Sequence, residues 1–472
     1  MSREKFASPN LFTKFYTLAK RIIWVRIKFM QAIEKIRNLY QVARDYFYFG
    51  DELLVSQERY EPVVLLGIIT LILNGKELIY GSYGSGKTTS SERLSSFIKG
   101  LPLEFVQATT IFGHPEQTEE KIKATLDLAA LQREGQEIVR WRVVPYAPVV
   151  IIDEINRLPV GKQSMLLNEV DRNIWNWRGE TIIFKEQKAF FATINYQDLG
   201  TTQIIPPLLD RFDIAVETTR LHPIRKRLVR RGIDDSILSH KTLATRMLNF
   251  VLSHNRTEEA EVVEAYIRQI STEFKEQIEK RFSEKGISIE IPREEEMQKI
   301  KEEIENISVS VSEDVELFLD YLGQEVYCQK SLQKDFSRCG DCHYKNFACA
   351  DLYSISHRAE QSLFHYTKAL AWINGESEVN LEHLQAVFPH VLWHRTRLSD
   401  ERMAKTRDME KETGDCFYAV CEVLQDVKKR WEEHRNYQID AYLALKKEDT
   451  KTILSLAERI DHPFFKTLAR EI

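Results

Sequence analysis

Glu77-Leu78-Ile79-Tyr80-Gly81-Ser82-Tyr83-Gly84-Ser85-Gly86-Lys87-Thr88-Thr89 decides how the chain folds: a short strand runs into a glycine-rich turn, and a helix opens at Thr88. The spacing of the glycines, the lysine and the hydroxyl residue is that of a phosphate-binding loop, and the strand and helix on either side supply its required context. Glycines without Cβ atoms let the backbone close around an anion, and the N–H groups of the turn and of the helix N-terminus point at it. Gly81 through Thr89 are therefore the expected nucleotide-binding residues, with Lys87 reaching the β- and γ-phosphates and the Thr88 hydroxyl taking Mg²⁺.

Working outward, Val149-Val150-Ile151-Ile152 is a buried-strand run that ends in Asp153-Glu154. Two carboxylates at the C-terminal edge of a parallel sheet stand where open α/β sheets bind ligands. Asp153 is expected to hold Mg²⁺ and Glu154 to polarise the attacking water, the division of labour that phosphoryl transfer needs. Apolar strands alternate with helical stretches from about 60 to 220, which predicts an α/β P-loop NTPase core, a parallel sheet flanked by helices. Beyond about 225 strand signals almost vanish, and an all-α lid with extra helical segments is expected.

The 472 residues exceed what one hydrophobic core usually supports, and a hydrophobic fraction of 43% makes the units globular. A net charge of -5 gives no global drive toward nucleic acid or an acidic membrane, so any such binding must come from local patches. Lys20, Arg21, Arg26 and Lys28 interrupt the greasiest N-terminal stretch, and nowhere do about 18 uncharged apolar residues run together. A soluble, cytoplasmic protein without a transmembrane segment is expected.

Further motifs resemble one family. Asp153-Glu154-Ile155-Asn156-Arg157 followed by Gln163-Ser164-Met165-Leu166-Leu167-Asn168-Glu169 is similar to the acidic strand end and following helix of MoxR-type AAA+ ATPases, of the helix-2-insert clade of P-loop NTPases. Trp175-Asn176-Trp177-Arg178-Gly179-Glu180-Thr181 matches the hairpin that this clade places before its sensor strand, read here as Ala189 to Asn195. The resemblance implies that Asn195 is sensor 1, bonding the γ-phosphate or the lytic water. It implies that Arg211, in Leu209-Asp210-Arg211-Phe212-Asp213, is an arginine finger reaching a neighbouring subunit's ATP, and that Arg358, in Ser356-His357-Arg358-Ala359, is sensor 2, touching the γ-phosphate and reporting nucleotide state through lid movement. His394-Arg395 echoes the end of the family's lid.

The resemblance covers roughly 60–225 and 307–398 and implies ATP, Mg²⁺, a homo-oligomeric, hexameric ring and a protein client that the ring remodels as a chaperone does. Such ATPases often work with a protein bearing a von Willebrand factor A domain; this chain shows no D-x-S-x-S motif of its own, so that partner would be encoded elsewhere. Two departures leave the client open. Ile111-Phe112-Gly113-His114-Pro115-Glu116 replaces a proline-rich stretch, and the lid is split by a charged insertion and a cysteine cluster. Neither is expected to touch the catalytic positions.

Cys328, Cys339, Cys342 and Cys349, spaced C-x10-C-x2-C-x6-C with His343 beside the central pair, suit a tetrahedral zinc that staples a small loop. Thiolate count does not separate zinc from an iron–sulfur cluster, and unliganded thiols are the alternative to both. Cys416 and Cys421 read as core residues. The organisation that follows is a basic amphipathic helical segment over 1–59, an AAA+ nucleotide-binding domain over 60–225, a helical lid over 226–400 with the charged insertion at about 255–306 and the four-cysteine loop at 328–349, and a C-terminal helical segment over 401–472. The insertion is too poor in apolar residues to be fully buried and is expected to project as a helical hairpin. The basic arm, with Lys14, Lys35, Arg37 and Arg44 among Phe15, Trp24 and Tyr40, reads first as a helix packed on the core and second as a contact for membrane, nucleic acid or an acidic partner.

Two other functions fit the same motifs. A nucleic-acid translocase or restriction-type motor would use Trp175, Trp177 and Arg178 at the hairpin tip as stacking and phosphate contacts. A scaffold that binds nucleotide and barely turns over is opposed by the intact Glu154 and Arg211.

Overall fold

The computed structural model describes residues 30–46, 52–55, 57–195, 204–218, 235–307, 310–328, 342, 344, 346–352, 355–407 and 415–472. Residues 1–29 of the basic arm, with Lys14, Phe15 and Trp24, lie outside them. Five parallel strands form the main sheet: β1 (Lys76–Gly81), β2 (Ile111–Phe112), β3 (Val149–Asp153), β4 (Ala189–Asn195) and β5 (Ile214–Thr218), in the order β5-β1-β4-β3-β2. β4 is buried at every residue, and β3 at every residue before Asp153. Continuous apolar runs are what a parallel sheet covered on both faces requires, so the sequence reading of an α/β core holds.

Helix α1 (Pro62–Leu73) is buried along nearly its whole length and lies against β1, β4 and β5. Helix α2 (Lys87–Lys99) leaves the glycine turn, and α3 (Val160–Arg172) follows the acidic end of β3. Between α3 and β4 a two-stranded hairpin pairs Ile174–Trp177 with Glu180–Ile183. Its turn puts Arg178 at φ 47° and Gly179 at φ 86°, the twin positive angles of the hairpin turn that matches strand twist.

The charged run does not project. Helix α4 (Ala260–Glu284) carries one apolar stripe, Val263, Ile267, Ile270, Phe274, Ile278 and Phe282, at spacings of three and four, and all six are buried. That stripe lies across α2, where Ser271 Oγ donates to Lys99 O at 2.5 Å and Phe282 meets Phe97. Charge on the outer face coexists with burial of the inner one, as in any amphipathic helix.

The lid contains α5 (Glu313–Val326), α6 (His357–Ile373) and α7 (Leu381–Leu392), followed by the long α8 (Asp415–Lys446) and two short helices, α9 (Thr450–Arg459) and α10 (Pro463–Glu471). Glu325 on α5 is fully buried and accepts from Arg430 Nε at 2.8 Å and Nη2 at 2.6 Å, from His462 Nε2 at 3.1 Å and from the Ala348 N–H at 3.2 Å. Burial would raise this carboxyl, but the bonds from Arg430 and His462 overcome it and hold Glu325 below its ordinary pKa. Cys416 and Cys421 on α8 are only part-buried, although burial pushes the Cys421 thiol up to about 12. Lys35 in the helix over 30–46 pairs with Glu290 at 3.0 Å and Glu296 at 2.8 Å, and Arg37 donates to Ile373 O at 2.7 Å, so these two basic residues pack the arm onto the rest of the chain. Among the described residues no helix is long and apolar enough to cross a membrane.

Candidate active site

The C-terminal ends of β1, β3 and β4 and the start of α2 surround one cleft lined by Tyr83, Gly84, Gly86, Lys87, Thr88, Thr89, Asp153, Glu154 and Asn195. Strand β1 delivers the turn, and Gly81 sits so close to β5 that a Cβ there would lie 2.1 Å from Thr218 Oγ1. Lys87 is buried, and its Nζ donates to Gly81 O at 3.1 Å and Ser82 O at 2.9 Å. Burial lowers its pKa while Asp153 and Glu154 pull it back up. An entering phosphate thus meets a cation hydrogen-bonded to two neutral carbonyls.

The Thr88 hydroxyl donates to Asp153 Oδ1, and Thr193 Oγ1 donates to the same oxygen at 2.7 Å. A threonine hydroxyl and a carboxylate side by side are the hard oxygen donors that Mg²⁺ takes together with nucleotide phosphates, so these residues fit that ion. Glu154 stands in the left-handed region at φ 52°, ψ 55°, which costs a non-glycine residue of order 1 kcal/mol and persists only where the surroundings hold it. Here they do. Its N–H donates to Thr193 Oγ1 at 2.9 Å, Asn195 Nδ2 donates to its Oε1, and Arg157 Nε lies 2.9 Å from its Oε2.

Thr193 was not singled out from the sequence, yet it orients both acids. The available signal is its position two residues before Asn195 on β4, on the same side of the strand. Gly113 is the second such residue. Its N–H donates to Asp153 O at 2.7 Å, and a Cβ would fall 2.1 Å from Glu154 O. The expectation that the 111–116 departure stays clear of the catalytic positions is therefore corrected: β2 pairs Phe112 with Asp153, and the following residue must be bare for the backbone to pass Glu154.

Arg211 and Arg358 lie elsewhere. Both line a separate cleft with Lys76, Asp171, Asp213, Lys301 and Tyr366 at the start of β1. Arg211 Nη1 donates to Asn168 Oδ1 and lies 3.8 Å from Asp171 Oδ2, both on α3. Arg358 Nη1 is 3.9 Å from Asp210 Oδ2 and is more than half exposed. The lid grips the 210–213 loop as well: Ser356 Oγ donates to Asp210 Oδ1 at 2.5 Å, Ser362 Oγ to Asp213 Oδ1 at 3.0 Å, and Arg395 Nη2 to Phe212 O and, at 2.8 Å, to Asp213 O. His394 Nε2 sits 3.2 Å from Phe212 O, and its pKa is driven well below the ordinary value by burial and then by Arg395. At about 3.3 Å per residue, the six residues of β1 put roughly 17 Å between this cleft and the glycine turn.

The hairpin tryptophans are buried, Trp175 completely and Trp177 at 7% exposure, because strand alternation turns both inward. They cannot stack on bases, and Arg178 instead lies over the Trp177 ring at 5.3 Å. Of the proposed metal ligands, Cys328 is exposed, Cys342 is half-buried and Cys349, also half-buried, donates from Sγ to Tyr344 O at 3.8 Å, while Cys339 lies outside the described residues, as does the neighbouring His343. No group of three or more His, Cys, Asp or Glu side chains placed to hold a metal occurs among the described residues.

Comparison with known proteins agrees with this geometry. Residues 77–212 match the AAA domain of the dynein-related subfamily, and residues 348–414 match the AAA lid domain. No curated protein matches the chain. Among solved structures, a "putative ATPase" from Cytophaga hutchinsonii is similar with a TM-score of 0.54 at 18% identity, over 87% of this chain and 97% of that one. At that identity the likeness speaks for the fold, and it extends well beyond the two matched domains. Residues 77–212 and 348–414 are thus the AAA domain and the lid of an AAA+ ATPase, an enzyme that hydrolyses ATP.

Proposed function

We propose that the chain is a MoxR-like remodeller that assembles as a ring, a hexamer on the family pattern, and spends ATP on a protein client, with a von Willebrand factor A domain protein as a candidate partner. The observation that carries the assembly is the separation of the two charged clefts. Lys87, Thr88, Asp153, Glu154 and Asn195 gather at one end of β1, whereas Arg211 and Arg358 stand at the other, too far away to reach the same nucleotide. Two guanidiniums so placed act on phosphates only if a second copy presents its glycine turn to them. Arg211 then stabilises charge on a neighbour's γ-phosphate, and Arg358 couples the same phosphate to the lid.

Within the cleft, Lys87 and the turn N–H groups bind the phosphates, and Thr88 and Asp153 would hold Mg²⁺, which would supply charge neutralisation at the phosphates. Glu154 orients and polarises the water, with Asn195 fixing the carboxylate. The four cysteines are proposed as a separate structural site for zinc, or for an iron–sulfur cluster; elemental analysis that finds neither metal in the purified protein would end that proposal.

The test is a nucleotide-locked capture. The Glu154→Gln chain should bind ATP without hydrolysing it and retain its client, and the same capture is run after nuclease treatment. A discrete protein that co-purifies in both arms supports remodelling. Nucleic acid that co-purifies and dissociates steeply with salt would instead establish a motor.

A further inference from the structure

Asn168 lies on α3, the helix that follows Glu154, and its side-chain carbonyl accepts a hydrogen bond from Arg211 Nη1. Asp171, one turn further along the same face, stands 3.8 Å from the same guanidinium nitrogen and also takes Lys76 Nζ at 3.0 Å. Helix α3 is anchored at its other end to the site in which Glu154 works. Glu154 is bonded to Asn195 and paired with Arg157, and residues 155–157 lead directly into the helix, whose first turn is fixed by Gln163 Nε2 donating to Leu158 O at 2.7 Å. Gln163, Leu166, Leu167 and Val170 are buried, so the helix moves as a rigid piece or not at all.

We propose that Asn168 is a positioning residue for Arg211, through which α3 transmits the state of this chain's own Glu154 to the nucleotide of the adjacent subunit. The inference rests on the trans reading of Arg211. A guanidinium at the end of a long side chain loses considerable rotamer freedom when it is fixed, and one fixed in advance delivers more of its charge to the transition state. The lid fixes the 210–213 loop by Ser356 and Ser362 bonding the Asp210 and Asp213 carboxylates and Arg395 bonding the loop's backbone carbonyls, whereas the Arg211 side chain itself is held by Asn168 and Asp171 of α3. A shift of α3 as Glu154 exchanges partners therefore moves the finger without moving its loop.

Steady-state ATPase kinetics of Asn168→Ala, Asn168→Asp and Arg211→Ala test this, together with mixtures of wild-type chain with Glu154→Gln chain carrying or lacking Asn168→Ala. Loss of a positioning contact should lower kcat about 10- to 100-fold with KM for ATP within about twofold. Asn168→Asp, which keeps an acceptor for the guanidinium, should stay within about threefold of wild type. In the mixtures the doubly substituted chain, whose own site is already silent, should depress wild-type turnover further than Glu154→Gln alone. Unchanged kcat in Asn168→Ala, or a loss that Asp does not restore, or equal depression by the two silent chains, would overturn the inference while leaving the trans finger intact. Normal turnover in Arg211→Ala would overturn both.

Discussion

The two ends of β1 carry opposite kinds of site. At the Gly81 end Lys87 is buried and held by neutral carbonyls, Asp153 is bonded to threonine hydroxyls, and Glu154 takes Asn195 and, at 2.9 Å, Arg157; Lys87, Asp153, Glu154 and Asn195 line one cleft. At the Lys76 end, cations and anions already pair with one another, Lys76 with Asp171 and Asp213, Arg211 with Asp171, Arg358 and Arg395 with Asp210. The first end is arranged to receive a ligand. The second is a balanced network with the Arg358 guanidinium more than half exposed, and under the proposed assembly it is this end that meets another copy's phosphates. Under the proposed function, chemistry and assembly divide between the two ends of one strand, and a change at either end should have its own kinetic signature.

Lys87→Ala should show the largest effect, with loss of nucleotide binding in calorimetry or fluorescent-nucleotide titration; binding at wild-type affinity would break the assignment of the receiving end. Arg211→Ala should leave that affinity within a few-fold and lower kcat by about 10³-fold or more, the scale at which arginine fingers act. If affinity and turnover fell together, the two ends would not be separable as described. Gly113→Ala forces a Cβ to within 2.1 Å of Glu154 O, and roughly a 100-fold loss of kcat with nucleotide affinity retained is expected from displacement of that backbone.

The smallest effect concerns Glu77, which lies between the two ends. Its carboxyl is completely buried and takes a hydrogen bond from Thr70 Oγ1 at 2.8 Å, and burial pushes its pKa up to about 8. Because the folded value lies above the unfolded one, its contribution to stability is complete below the ordinary carboxylate range and is lost as pH rises toward about 8. Glu77→Gln should abolish that loss, so its thermal midpoint should gain on the wild type by a few degrees across that interval. Parallel midpoint curves would remove Glu77 as the cause.

Much of the receiving end was legible in the sequence because its chemistry is local: a glycine turn, an acidic strand end and an amide-ended strand each fit within a dozen residues. Thr193 escaped notice because one hydroxyl in an apolar strand carries no spacing signal, and Gly113 because its neighbour, Glu154 O, is brought near by a parallel pairing between distant segments. The low apolar fraction over 255–306 hides the burial of α4, which is carried by the single stripe from Val263 to Phe282. Trp175 and Trp177 invited a recognition role by composition, while the period of two along their strand sends both into the interior. The placement of Arg211 and Arg358 together could not be seen from their motifs, since only the sheet order brings the loop after β4 beside α3 and the lid.

The contacts at Glu325 have a practical bearing on how the chain can be handled. Removal of the residues from His462 onward would strip the buried carboxylate of one of its two side-chain donors and uncover the Tyr321 ring, on which the imidazole stacks at 4.0 Å. The loosened α5 also holds Ala348, the first residue of the short helix that carries Cys349. A label attached at Ile472 meets solvent, since that side chain is about half exposed, whereas trimming the chain to a shorter crystallisable fragment at about residue 460 would loosen the short helix Ala348–Asp351 from a distance.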